Sequence, residues 1–250
     1  MPSDPSIEFK AGLDDAVFYS QGSRLLGGFY HGAGVGPRPT AVLLHGVPGV
    51  EQNLDIAYAL RDAGWNCLYF HYRGSWGSEG NYSFGGALDD VAAATNWVLE
   101  QPSVDPERLA IVGNSFGGYL AFSATAADSR FKATVSITPL VDPATVDVSA
   151  ELFDEFAVML NGVGGEELRE QWKLLPAIHT MSGLLSSRAI LLITADEDEL
   201  FPPSHYEALT ADVKSIIWKQ IPGADHVFSA ARKQLVETTI NWLQTTFFES

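Results

Sequence analysis

Arg108-Leu109-Ala110-Ile111-Val112-Gly113-Asn114-Ser115-Phe116-Gly117-Gly118 runs from a β-rich apolar pattern straight into a helical one. A serine at such a junction occupies the tight strand-to-helix turn that a nucleophile elbow requires. Its backbone is strained there, and the small residues two positions to either side, Gly113 and Gly117, let the turn approach its neighbours without Cβ clashes. The hydroxyl of Ser115 is thereby lifted into the open. Gly118 adds a second small residue where the helix must cross close over a sheet.

On both sides of this turn, short β-rich runs alternate with helical patterns, the signature of a mostly parallel sheet covered by helices on both faces. Ala16 to Ser20 and Leu25 to His31 read as an opening antiparallel hairpin, and Thr40 to His45 as a central strand buried on both faces. Asn66 to His71, Arg108 to Val112, Ala133 to Ile137, Ala189 to Thr194 and Ser215 to Ile221 complete about eight strands. Helices are expected over Glu51 to Ala63, Gly86 to Gln101, Phe116 to Ala127, Pro203 to Ala211 and Ala230 to Phe247. The alternation lapses once, over about 139–187, where Leu152, Phe153, Phe156 and Leu160, then Leu168, Trp172 and Leu175, recur at helical spacing. This predicts a small helical cap inserted into a single domain covering 1–250. No internal repeat or low-complexity tract suggests a second domain.

The composition is 46% hydrophobic and 18% charged, which excludes a disordered chain and a coiled coil. A net charge of −16 repels phosphate backbones and anionic lipid, so neither nucleic acid nor membrane is expected as a partner. The charge favours a neutral or cationic small substrate. Cys67, the single cysteine, lies in an apolar run and reads as a buried residue, so no disulfide forms within the chain. The N-terminus lacks the basic and apolar regions of a signal peptide, and no apolar run reaches the length of a membrane span. A cytoplasmic location is the expectation.

A serine hydroxyl needs a base, and in this architecture a histidine belongs in the loop after the last strand. His226, in Ile221-Pro222-Gly223-Ala224-Asp225-His226, has that position. His31, His179 and His205 read as solvated or structural, and His45 as a brace for its own loop. The carboxylate that orients the base should follow a late strand. Thr194-Ala195-Asp196-Glu197-Asp198-Glu199 offers four acids, of which Asp198 is far enough along to turn back to His226, while Asp196 suits a loop cap. Two backbone N–H donors for an oxyanion are expected from Phe116, the residue after the nucleophile, and from Val47 in His45-Gly46-Val47-Pro48-Gly49.

With these residues in place the chain resembles the α/β-hydrolase superfamily, in which nucleophile, acid and base follow the order Ser115, Asp198, His226. Tyr72-Arg73-Gly74-Ser75-Trp76-Gly77-Ser78-Glu79-Gly80 and Gly113-Asn114-Ser115-Phe116-Gly117-Gly118-Tyr119 resemble the catalytic domain of the prolyl oligopeptidase and acylaminoacyl peptidase branch and small esterases related to it. The resemblance implies an α/β-hydrolase fold and a serine hydrolase without cofactor, cleaving carboxylic esters of small substrates (EC 3.1.1). The propeller that selects peptides in those peptidases has no room in 250 residues. Ala195 stands where the family commonly has Gly. Phe153, Phe156, Leu160 and Trp172 are candidates for the roof of a substrate pocket, or simply for the core of the cap.

An aminopeptidase or amidase is the rival within the same class, since a triad alone does not separate amide from ester chemistry. A non-catalytic binding protein on the same fold is a further alternative. A nicotinamide-binding reading of Val112 to Gly118 fails because the Gly-x-Gly-x-x-Gly spacing is missing. Gly74 to Gly80 lacks the Lys-Ser/Thr end of a phosphate loop and reads as a flexible turn beside the pocket, braced by Arg73. Asp105-Pro106-Glu107 reads as a turn and Asp89-Asp90 as a solvated helix start. No His, Cys and carboxylate cluster has metal-site spacing, so no metal is expected. The oligomeric state is open.

Overall fold

The computed structural model describes residues 6–248. In chain order its strands are β1 (Glu8–Phe9), β2 (Gly12–Ser20), β3 (Ser23–His31), β4 (Gly34–Val35), β5 (Arg38–Leu44), β6 (Asn66–Phe70), β7 (Val104–Asn114), β8 (Phe131–Ile137), β9 (Ala189–Ala195) and β10 (Ile216–Ile221). The α-helices are α1 (Leu54–Asp62), α2 (Phe84–Leu99), α3 (Phe116–Ala127), α4 (Ala150–Val158), α5 (Gly165–Lys173), α6 (Ser182–Leu185), α7 (Glu207–Asp212) and α8 (Arg232–Phe248). Single 3-10 turns lie at Pro143–Thr145, Ile178–Met181 and Pro203–Tyr206.

Eight strands form one sheet in the order β10-β9-β8-β7-β5-β6-β3-β2. β2 pairs with β3, and β3 with β6, antiparallel; the remaining pairs are parallel. β1 and β4 form a separate two-residue ribbon, too short for periodicity to register. The strand order reverses at β5, which leads through α1 to β6 on one side and has β7 on the other. Open α/β sheets hold ligands in the crevice that such a reversal leaves at the carboxyl ends of the strands.

Side chains alternate between two cores. Val42, Leu44 and Ile111 face α2 and α3, whereas Ala41, Leu43, Ala110 and Val112 face α1 and α8. α3 is buried from Phe116 to Thr125, enclosed between the sheet and the segment that joins β8 to β9. That segment contains α4, α5 and α6 and no strand of the main sheet. Burial also pushes the Cys67 thiol well up, so it stays protonated.

Some local expectations are corrected. The helix expected from Glu51 begins at Leu54, because Asn53 is left-handed at φ 53° and interrupts helical backbone before it. The helix expected over Pro203 to Ala211 is a 3-10 turn followed by α7. Asp105 to Glu107 lie within the irregular start of β7, where Asp105 Oδ1 accepts from Glu107 N at 3.0 Å.

Asp89 is solvated as expected, but Asp90 is not: its carboxylate is fully buried against Arg73. Asp90 Oδ1 accepts from Arg73 Nε and Nη2 at 2.9 and 2.6 Å, and Oδ2 accepts from Arg73 N at 2.8 Å. Arg73 also donates to Ser20 and Gln21. Arg73, where the loop that runs to Gly80 begins, is therefore braced against α2 and the end of β2. Asp90→Ala leaves a mostly buried guanidinium with only the half-exposed Asp89, 3.9 Å away, as counter-charge, and is expected to cost about 3 kcal/mol. Urea unfolding measures it; a loss under about 1 kcal/mol would mean that the Arg73 guanidinium does not depend on Asp90.

Candidate active site

Ser115 joins β7 to α3 at φ 54° and ψ −121°, a backbone conformation sparsely populated by residues with a side chain. Packing enforces it. A Cβ on Gly113 would fall 2.1 Å from Gly117 O, and one on Gly117 would fall 2.4 Å from Leu44 O. Ser115 N donates to Ile137 O at 2.9 Å, and Ser115 O accepts from Gly118 N and Leu140 N at 3.0 and 3.2 Å. The serine's own side chain is left partly exposed.

The loop after β5 is held from two sides. Tyr72 Oη donates to His45 O at 2.9 Å, and Trp76 Nε1 donates to Pro48 O at 2.7 Å. His45 Nδ1 lies 2.7 Å from Gly46 O. A carbonyl only accepts, so Nδ1 carries the hydrogen and Nε2, buried without a partner, carries none. Complete burial, partly offset by that bond, lowers the His45 pKa to about 3. This imidazole is a neutral brace. His71, with its ring 5.4 Å from that of His45, is lowered to about 4 by burial.

A cavity of about 300 Å³ is lined by residues 46–51, Asn114, Ser115, His226 and Val227. It lies at the ends of β5 and β7, where the strand order reverses. His226 Nδ1 is 2.9 Å from Asp198 Oδ2. The carboxylate accepts, which leaves His226 Nε2 with its lone pair free to accept a proton. Asp198 is held in turn, since its Oδ1 accepts from Leu200 N and Phe201 N, both at 2.9 Å. Asp196 is exposed and accepts from Ala224 N at 3.3 Å. The Phe116 amide heads α3, where no helical partner exists, and Val47 lines the cavity beside Ser115. Two such donors beside a serine and an oriented imidazole are the parts needed for acyl transfer.

Thr138 escaped the sequence reading, and His205, read there as solvated or structural, proves structural. Thr138, fully buried at φ 36°, donates from Oγ1 to His226 O at 3.0 Å and from its amide to Ile193 O at 2.7 Å. His205 Nε2 accepts from Val141 N at 2.8 Å, so Nδ1 carries the hydrogen and donates to Thr145 Oγ1 at 2.7 Å. The His205 ring stacks on Phe201 at 5.0 Å, and Phe201 meets the His226 ring edge-on at 5.1 Å. Neither residue has a local motif; only tertiary contact reveals them.

The four aromatic and aliphatic pocket candidates do not line the cavity at Ser115. Phe153, Leu160 and Trp172 are buried in the core, with Phe156 packed against it. Rings touch in series from Phe116 to Phe84 (4.7 Å), Trp172 (5.8 Å) and Phe153 (5.8 Å), fastening the β8–β9 segment onto α2 and α3.

Residues 52–249 match the prolyl oligopeptidase family. An uncharacterized protein of Mycobacterium tuberculosis, MT2364, is 34% identical over 122 residues, which is 48% of this chain and 43% of that protein. YfhR of Salmonella typhi, also uncharacterized, is 27% identical over 218 residues, 82% of this chain and 71% of its own. The chain spans less than half the length of the curated relatives that it matches at 34% identity. Est1E from Butyrivibrio proteoclasticus shares the fold, with a TM-score of 0.74 at 15% identity over 93% of this chain and 98% of that one. No helix among the described residues is long and apolar enough to cross a membrane.

The buried imidazoles set an acid limit. Burial lowers His205 to about 4 and His45 to about 3, both below the ordinary value near 6.5. Below pH 6.5 the unfolded chain binds protons that the folded chain refuses, so stability falls as the pH drops towards 4, by up to about 1.4 kcal/mol per pH unit for each imidazole. His205→Gln is expected to reduce the slope of unfolding free energy between pH 6 and 4.5 by about one proton. An unchanged slope would show that His205 protonates equally in both states.

Proposed function

Because the chain belongs to the prolyl oligopeptidase family, and is thus an α/β-hydrolase, we propose that it cleaves carboxylic esters of small substrates through Ser115, His226 and Asp198. One observation carries the reading: the positive-φ serine and the carboxylate-bound histidine line the same cavity. Ser115 Oγ attacks the ester carbonyl while His226 Nε2 takes its proton. The carbonyl oxygen becomes an oxyanion held by the amides of Val47 and Phe116. Collapse breaks the bond to the alcohol, which leaves with the proton from His226. Water then attacks the acyl-enzyme along the reverse proton path and frees the acid and Ser115. Asp198 stays ionised throughout, fixing the imidazole's tautomer and stabilising its cation.

The walls of the cavity carry one charged group besides the proposed base, Glu51, which suits neutral or cationic substrates. Glu51 also keeps amide cleavage of a substrate with a free amine as a second reading. Its carboxylate is already engaged, accepting from Asn53 N at 2.7 Å and lying 3.8 Å from Arg232, which favours the ester reading.

A fluorophosphonate probe is expected to label the natural protein and neither Ser115→Ala nor His226→Ala. Asp198→Asn should retain the fold and lose about 10⁴-fold in kcat on p-nitrophenyl esters. A folded natural protein that resists the probe, or labelling that survives Ser115→Ala, would refute the reading. Faster turnover of an aminoacyl p-nitroanilide than of any p-nitrophenyl ester would favour the amidase.

A further inference from the structure

β2 is an edge of the main sheet, and its two faces differ. Ala16 and Phe18 turn to the core, where Phe18 stacks on Trp97 of α2, whereas Leu13, Asp15, Val17 and Tyr19 are exposed. On that exposed face the register sets Asp15 of β2 beside Gly28 of β3, and Gly28 beside Tyr69 of β6. Neighbouring strands lie about 4.8 Å apart, so the backbones carrying the acid and the phenol ring are roughly 10 Å apart with no side chain between them. The notch belongs to a cavity of about 380 Å³, walled also by Tyr30, His71 and Trp76. It shares no lining residue with the cavity at Ser115.

The rings of this wall are fixed at their edges. Trp76, 45% exposed, donates its N–H to Pro48 O, Tyr69 Oη lies 2.5 Å from His71 Nε2, and the Tyr30 ring meets that of Tyr58 edge-on at 5.3 Å. No Lys or Arg lines the cavity among the described residues, and His71, lowered to about 4 by burial, is neutral at ordinary pH. Arg61, which lies over the Tyr58 ring, is paired with Asp62 at 2.8 Å. Negative charge comes from Asp15, whose exposed carboxylate has no hydrogen-bond or ion-pair partner among the described residues. Asp14 is already engaged, 2.8 Å from His31 Nε2.

Aromatic faces attract cations, and a carboxylate nearby adds to the attraction. A hard metal ion takes about six oxygen ligands, and a primary ammonium needs acceptors for its three hydrogens; one carboxylate supplies neither. An alkylated ammonium ion needs ring surface and a single counter-charge. We propose that this cavity binds a small organic cation through a quaternary ammonium group, seated over Gly28 between the Asp15 carboxylate and the rings of Tyr69 and Trp76. The site does not depend on the chemistry at Ser115.

Saturation-transfer NMR titrations at pH 8 and fixed ionic strength test this with tetramethylammonium chloride and with tert-butanol, an uncharged molecule of similar shape. The chains compared are the natural one, Asp15→Asn, Gly28→Val and Asp212→Asn. A Cβ at Gly28 would meet the flexible end of Leu13 at 3.1 Å and Tyr30 Cε2 at 4.0 Å, so valine fills the notch on a strand that favours it. Asp212→Asn removes the same charge from an exposed residue of α7 outside the cavity. The expected result is one saturable site for tetramethylammonium, weakened about fivefold by Asp15→Asn and about tenfold or more by Gly28→Val, and unchanged by Asp212→Asn. The alcohol is expected to bind about tenfold more weakly or not at all. If Gly28→Val does not fold, Asp15→Asn, an isosteric change at an exposed residue, still reports. No saturable binding, equal weakening by Asp15→Asn and Asp212→Asn, unchanged affinity in a folded Gly28→Val chain, or tert-butanol binding as tightly as the cation would each overturn the proposal.

Discussion

The approach of the first turn of α3 to the ends of β5 and β7 is the constraint on which the rest of the site depends. Backbone atoms of Gly117 and Leu44 lie so close that neither Gly113 nor Gly117 can carry a Cβ. That closeness holds Ser115 at positive φ, and it brings the loop after β5 beside the serine in the same cavity. The strain at one residue is offset by the hydrogen bonds that its amide donates and its carbonyl accepts, which tie it to the end of β8 and to the first turn of α3. A looser helix start would relax Ser115 and separate it from the loop at once.

Much of this was legible in the sequence because it has local chemistry. Glycines flanking a serine between a strand and a helix, Gly46 and Pro48 after a buried strand, and a histidine after the final strand each carry a turn signature. The central strands β5 to β9 are legible for a similar reason, since strands buried on both faces are nearly continuous apolar runs, whereas β2 shows instead the alternating burial of a strand with one face in solvent. What stayed hidden has no local signature. Asp90 looks like any acid at a solvated helix start until Arg73 arrives from another loop. Thr138 and His205 are ordinary polar residues whose hydrogen bonds cross to other segments. Phe153, Phe156 and Trp172 show helical spacing, which is the same for a substrate roof and for a packed interior; the ring series through Phe84 to Phe116 selects the interior.

A graded support lies behind the cavity. Asp198 holds His226, two amides hold Asp198, and the Phe201 ring that belongs to one of those amides is packed between His226 and His205. His205 in turn bonds the start of the β8–β9 segment through Val141 and Thr145. Orientation at His226 is thus over-determined by neutral and charged contacts of different kinds, which is what preorganisation of an imidazole requires.

The hydrogen bond from Thr138 to the carbonyl of His226 spans 88 positions of chain, and the one from Arg232 to Asn53, which helps anchor the loop that follows His226, spans 179. Contacts of that separation close late, because the entropy of bringing distant segments together is spent before the contact returns anything. No fragment made of either half of the sheet holds Ser115, His226 and the loop after β5 together. The cavity is therefore a property of the finished topology, so a nascent or partly refolded chain with most of its helices and strands in place still lacks it.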